Sequence, residues 1–283
     1  MPRLSVIGDA LLDVHVVPAS AIRPGEDIPA AVRLRPGGQG ANLAVRFARQ
    51  GVAVTLTCSL ADDVAGRIMR SALESEGVAL HAIEANATGT VVVLLDERGE
   101  RTMLSQRAPF AASGADGLAA DGWLVLSGYL LLEPDGEALA RAAAALPGRR
   151  VLVGCAVPDD SVAAWRSAAS SFAPDLVVMN AGEMARLAID GPHGRVVTDS
   201  GGATATIGSV TAHARLAPGP DAIDTTGAGD AFAAALIAGL LDEGWPPREA
   251  SLREALGNAV ELAGAVARTA GAQARVAHEG AAP

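Results

Sequence analysis

Residues 224–241 read DTTGAGDAFAAALIAGLL. A polar, glycine-rich turn opens here directly into an apolar helix. Gly227 and Gly229 let the backbone approach a ligand closely, and the N–H groups that begin a helix point outward at the positive end of its dipole. Such a turn binds anions and stabilises charge developing on a transferred phosphoryl group. Asp230 falls at the start of the helix, beside that anion site. A carboxylate there can take the proton from a hydroxyl that attacks phosphorus. The same position also suits a helix N-cap, worth about 1 kcal/mol.

A second glycine-rich loop, PGGQGANLAVRFARQG (36–51), also feeds a helix. Gly37 and Gly38 can bring backbone N–H groups to sugar hydroxyls, and the Asn42 amide both donates and accepts. The alternative is an ordinary turn with Asn42 as a local cap. The loop is not a dinucleotide fingerprint: no third small residue follows Gly40 at the required spacing, and it does not follow the first strand.

Around these loops, short apolar runs alternate with Ala-rich helical stretches. LSVIG (4–8), VAVTLTCSL (52–60), GWLVLSG (122–128), RRVLVGCA (149–156), DLVVMN (175–180) and GRVVTDSG (194–201) read as buried strands. Helices are expected over 41–51, 63–77 and most of 230–270. Continuous apolar strands separated by helices predict an α/β fold with a mainly parallel sheet covered on both faces. Two segments, about 14–36 and 89–107, do not fit the βα repeat. The second reads as a hairpin turning at Glu97–Glu100. Both are expected to leave the main sheet and pair as a small second sheet, inserted as a lid in a single domain of 1–283.

The 283 residues are half hydrophobic, 19% charged and carry a formal net charge of −10. The sequence contains no lysine; all 22 basic residues are Arg. A Walker-type P-loop and Schiff-base chemistry are therefore excluded, because each needs a lysine amine. The acidic balance argues against nucleic acid as a partner. Cys58 and Cys155 form no spaced motif. No signal-peptide pattern or uninterrupted apolar stretch of membrane-spanning length is present, so a cytoplasmic setting without membrane contact is expected.

The two glycine-rich signatures, in this order and separation, resemble those of the ribokinase-like (PfkB) carbohydrate kinase family, and the resemblance runs from about residue 3 to 274. It implies a three-layer α/β/α fold with a small β-sheet lid. The implied activity is transfer of the ATP γ-phosphoryl group, with Mg2+, to a hydroxyl of a sugar. A nucleoside kinase of the same family and a non-catalytic sugar or nucleotide sensor are the alternatives. Asp230 resembles the catalytic base, and Gly227, Ala228 and Gly229 the anion hole. Asp13, expected at the end of the first strand, resembles a sugar-binding carboxylate, with Gly38, Gln39, Asn42 and Glu133 as further acceptor-site residues. Asn180 and Glu183 match the N-x-x-E motif that organises magnesium through water; the same spacing is an ordinary capping box. Thr198, Ser200, Gly201 and Gly202 resemble the nucleotide loop, and Asn258 the helix beside adenine. Asp224 and Thr226 match positions near a monovalent-cation (K+) site of some ribokinases. Some relatives dimerise through the lid. Departures are Gln39 in place of Lys, Leu11 in place of a ribose-contacting Asn, a nucleotide loop one residue short, and no Asp-Pro-Asn run in 153–165. The first two weaken a strict ribose assignment, and the last weakens a keto-deoxygluconate or fructose assignment. On the hairpin, Arg101 and Arg107 are candidates for holding an acceptor phosphate, or simply solvated charges.

Overall fold

A computed structural model describes residues 4–95, 101–110, 122–189, 191–269 and 271–276. Its larger sheet has nine strands in the order β13-β12-β11-β10-β9-β8-β1-β4-β5. The central members are β1 (Leu4–Ile7), β4 (Val54–Leu60), β8 (Trp123–Ser127), β9 (Arg149–Val153), β10 (Leu176–Asn180) and β11 (Gly194–Asp199). All pairs from β11 through to β5 (Ala79–Glu84) are parallel. At one edge β12 (Gly202–Ile207) and β13 (Val210–Arg215) add an antiparallel hairpin. These last two strands and β5 carry weaker apolar patterns, and the sequence reading passes over them.

The apolar runs are strands buried on both faces. Val6, Val125, Val151 and Val178 enter one core, while Ile7, Leu124, Leu126, Leu152 and Val177 enter the other. Helices α1 (Gln39–Arg49), α2 (Val64–Ser75), α6 (Ala228–Leu240) and α7 (Glu249–Ala267) cover the first core. The second is covered by α3 (Gly136–Ala144), α4 (Val162–Phe172) and α5 (Ala181–Leu187). Helix α6 is apolar on nearly every side, with Ala231 to Ile237 buried throughout, as befits a helix enclosed between neighbours. Its small residues permit that enclosure: a Cβ on Gly239 would stand 2.8 Å from Cβ of Ala255 in α7.

A four-stranded sheet, ordered β3-β2-β6-β7, stands apart from the nine-stranded one. It is built from β2 (Leu11–Pro18), β3 (Ala30–Gly37), β6 (Gly89–Leu95) and β7 (Arg101–Gln106). These are the segments whose rhythm departs from the βα repeat. The expected turn at Glu97–Glu100 lies outside the described residues. One expectation is corrected: Asp13 lies inside β2, on the small sheet, and the carboxylate that follows β1 is Asp9. Strand β1 ends at Ile7, close to the end of its apolar run, and a Cβ on the following Gly8 would stand 2.5 Å from Cα of Gly40.

Strand β1 sits between β4 and β8, the place where chain order reverses across the sheet. Open α/β sheets bind ligands outside the carboxyl ends of their strands at such a point.

Candidate active site

A cleft of about 580 Å³ lies there, between the carboxyl ends of the large sheet and the small sheet. Asp9, Gly154, Asn180 and Thr198 contribute from the strand ends, and Asp13, Val91 and Met103 from the small sheet. Gly38, Gln39 and Asn42 come from the start of α1, and Gly227, Gly229 and Asp230 from the start of α6.

Helix α6 begins at Gly227, which has a left-handed φ of 76°. A Cβ on Gly227 would lie 2.7 Å from Cα of Ala272, so both the angle and the space require glycine. Asp230 stands three residues into the helix and is therefore not the N-cap. Its Oδ2 accepts instead from Asn42 Nδ2 at 2.8 Å. Burial pushes the Asp230 carboxyl up to about 7; the Asn42 hydrogen bond opposes this, and the negative charge of Asp9 adds to it. The Ala228 amide donates to the Thr225 carbonyl at 3.2 Å. At Gly229 a Cβ would meet nothing within 4 Å, so the space beside its Cα is open.

Around the acceptor end, Asn42 Oδ1 accepts from Gln273 Nε2 at 3.0 Å. Gln39 Nε2 donates to the Gly154 carbonyl at 2.8 Å, and Ser127 Oγ lies 2.7 Å from Gln39 Oε1 and 3.2 Å from Asp9 Oδ1. Gly38 has φ 93°, and a Cβ there would strike the Asp9 carbonyl at 2.7 Å. Burial, aided by Asp9 and opposed by Arg107 and Arg35, pushes Asp13 up to about 6. Arg107 Nη1 pairs with Asp9 Oδ2 at 2.5 Å, and its guanidinium lies 4.0 Å over the Tyr129 ring.

Asn180 and Glu183 form a complete capping box at the start of α5, with Glu183 Oε2 accepting from the Asn180 amide at 3.0 Å. Both nevertheless line the cleft, and burial raises the Glu183 carboxyl. Asp224 Oδ1 accepts from the Thr226 amide at 3.0 Å and hydroxyl at 2.6 Å, while its Oδ2 accepts from the Gly271 amide at 3.0 Å.

Other candidates fall elsewhere. Thr198 lines the cleft, but Ser200, Gly201 and Gly202 form the tight turn between β11 and β12 and are not among the lining residues. A Cβ on Gly202 would lie 2.1 Å from the Ala214 carbonyl, so this glycine answers to strand pairing. Asn258 is exposed on α7. Glu133 ends the 3-10 turn Gly128–Leu132 and is not among the lining residues, although its carboxyl senses Arg107 and Asp9.

The whole chain bears out the glycine-loop signatures: residues 1–278 match the model of the pfkB family carbohydrate kinase. The chain belongs to the pfkB family of carbohydrate kinases. It is a phosphotransferase with an alcohol group as acceptor. A fructokinase of Klebsiella pneumoniae is 28% identical over 316 residues, spanning 95% of this chain and 94% of that one. Among solved structures, an uncharacterised sugar kinase of Pyrococcus horikoshii in complex with ATP superposes with a TM-score of 0.80. It is 20% identical and covers 95% of this chain and 94% of its own. A fructokinase of Xylella fastidiosa with bound ATP gives 0.79 at 19% identity, over 96% and 94%. These likenesses show the ribokinase-like fold.

Within this pfkB-family chain, sequence reasoning missed Asp9, Ser127, Tyr129 and Gln273. Asp9 had a readable signal, a carboxylate directly after Gly8 at a strand end. Nothing local marks the other three.

Proposed function

We propose that this kinase transfers the γ-phosphoryl group of ATP to a primary hydroxyl of an uncharged sugar, with Asp230 as the base. The observation that carries this reading is Asp230 on the first turn of α6, next to Gly229, both lining a cleft walled by acceptor-type polar groups. The amide end of the helix stabilises charge gathering on the transferred group. Phosphoryl transfer passes through a loose transition state, so the base takes its proton late and need not be strong. A carboxyl titrating near 7 suffices.

Glu183 and Asn180 fit an indirect magnesium site, because the Glu183 carboxylate faces the cleft while its backbone bond to Asn180 fixes its direction. A magnesium ion held there through water would supply neutralisation of the phosphate charge. Asp224 and Thr226 are proposed for a monovalent cation; their carboxylate and hydroxyl are oxygen donors of the right hardness, and Asp224 already ties the turn to Gly271.

The charge of the cleft argues for a neutral acceptor. Asp9, Asp13, Glu183 and Asp230 line it, and among the described residues the one arginine lining it, Arg107, is committed to Asp9. A sugar phosphate or aldonate would meet net repulsion. The fructokinase names of relatives make a ketohexose the first sugar to test. Release of ADP over a panel of neutral sugars, nucleosides, sugar phosphates and sugar acids tests this. Turnover confined to neutral sugars supports the reading, and preferred turnover of an anionic acceptor overturns it. Binding of sugar and ATP without any phosphorylated product would favour a sensor.

We also propose a cytoplasmic setting, where ATP is at hand, and a homodimer through the small sheet; no described helix is long and apolar enough to cross a membrane. On the face opposite Asp13, Leu34, Val14, Val92 and Leu104 lie in register across all four strands. Leu34 is 53% exposed and Leu104 58%. Such an apolar row is what a second copy would cover.

A further inference from the structure

We infer that Gln273 is a positioning residue for phosphoryl transfer: it fixes which end of the Asn42 amide meets Asp230. The inference rests on Asp230 being the base.

An asparagine amide has a donor end and an acceptor end. With Nδ2 toward Asp230, as here, the amide donates to a carboxylate and favours the ionised form that can take a proton. Turned over, its carbonyl would face the carboxylate. Two acceptors would then meet, and the contact would be satisfied only with Asp230 protonated and unable to act as base. The group opposite decides between these states. Gln273 Nε2 donates to Asn42 Oδ1 at 3.0 Å, so the chain Gln273–Asn42–Asp230 has one direction of donation throughout.

The segment carrying Gln273 is itself anchored at the site. The Gly271 amide donates to Asp224 Oδ2 at 3.0 Å. Arg46, fully buried and one helical turn beyond Asn42 on α1, donates from Nη2 to the Ala272 carbonyl at 2.7 Å. Ala272 also backs directly onto Gly227. The strap after α7 therefore holds the helix-opening turn with its backbone and the base's partner with the Gln273 side chain. Other charged or titratable groups near Asp230 are Asp9 after β1 and Arg46 on α1, which act on it, and Tyr129 after β8, whose hydroxyl Asp230 helps to raise. None of these bonds Asn42 Oδ1.

The test is the pH dependence of kcat, at saturating sugar and ATP, for wild type, Gln273→Met and Gln273→Glu. Methionine keeps the shape and removes the donor. Glutamate is acceptor-only and competes with Asp230 for the Asn42 NH2. The acid limb should move up in both, by roughly one pH unit in the glutamate variant and less in the methionine variant. The plateau above the limb should return to within about twofold of wild type, because a deprotonated Asp230 is competent once formed. Loss of packing alone would instead depress kcat at every pH. Because the glutamate charge by itself also raises Asp230, an unmoved acid limb in the methionine variant, or a uniform depression, overturns the inference. Asp230→Asn, run alongside, separates the two readings. If it keeps activity within about tenfold, the base assignment fails. If it is inactive while Gln273→Met matches wild type, only the role of Gln273 fails.

Discussion

Arg107, at the end of a small-sheet strand, pairs at 2.5 Å with Asp9, at the end of the central strand of the large sheet. The pair joins the two sheets across the cleft floor, with the Arg107 guanidinium stacked on Tyr129. The Asp9 side chain is 6% exposed, so removing its partner leaves a nearly buried charge.

Arg107→Ala should therefore lower the melting temperature by several degrees and raise the sugar KM at least about tenfold, since Asp9 and the small sheet both lose their place. Adding Asp9→Asn should recover much of the lost melting temperature. Thermal melts of the two single variants and the double variant check this; strictly additive losses would show that the pair is not coupled.

The two glycines of the α6 turn should separate stability from catalysis. Gly227→Ala places a Cβ against Ala272 at a left-handed φ and should cost about 1–3 kcal/mol in denaturant unfolding. Gly229→Val meets open space and should leave the melting temperature within about 2 °C while lowering kcat/KM for ATP at least about a hundredfold. Equal effects on folding would remove Gly229 from the phosphate site.

The raised Asp230 carboxyl links stability to pH. The unfolded group ionises near its ordinary value of 3.8, and the folded one near 7. Between these values the folded state holds more protons, so the contribution of Asp230 to stability declines as pH rises through that window. Asp230→Asn should thus raise the melting temperature by at least about 2 °C at pH 8, with the gain vanishing near pH 4. The same variant should lose at least about a hundredfold in kcat. A melting gain independent of pH would show that the carboxyl is not raised by burial.

Leu34→Asp should convert a dimer to a monomer in light scattering without loss of fold, because Leu34 is half exposed on the outer row of the small sheet. A wild-type chain that is already monomeric at the highest concentration measured would discard that interface.

Much of the site was legible because its backbone parts are local. Gly227, Gly229 and Asp230 lie within one turn of helix, and Gly37 to Asn42 within another, so spacing alone reveals what their amides and side chains can do. The Asn180–Glu183 spacing was equally legible, and the capping box it describes is present. Asp13 belongs to the second strand, Leu11–Pro18, whose start so soon after β1 no local pattern marks, because it pairs with β3 and β6 of the small sheet. The backbone constraint on Gly202, whose Cβ would strike the Ala214 carbonyl, was not legible, because it is set by a strand paired across the sheet.

The sequence by itself determined the layered α/β fold, the departure of two segments into a second sheet, and the two helix-opening turns. Those features arise from hydrophobic period, glycine placement and helix polarity over a few residues. Tertiary structure alone decided that Asp9 faces Arg107 and that Gln273 reaches Asn42, 231 residues earlier in the chain. Asp9 and Arg107 meet where strands of the two sheets end, and Gln273 reaches Asn42 because the segment after α7 is anchored by Arg46 and Asp224. The hydrogen-bond direction at the base is then set by a neighbour that no local pattern can name.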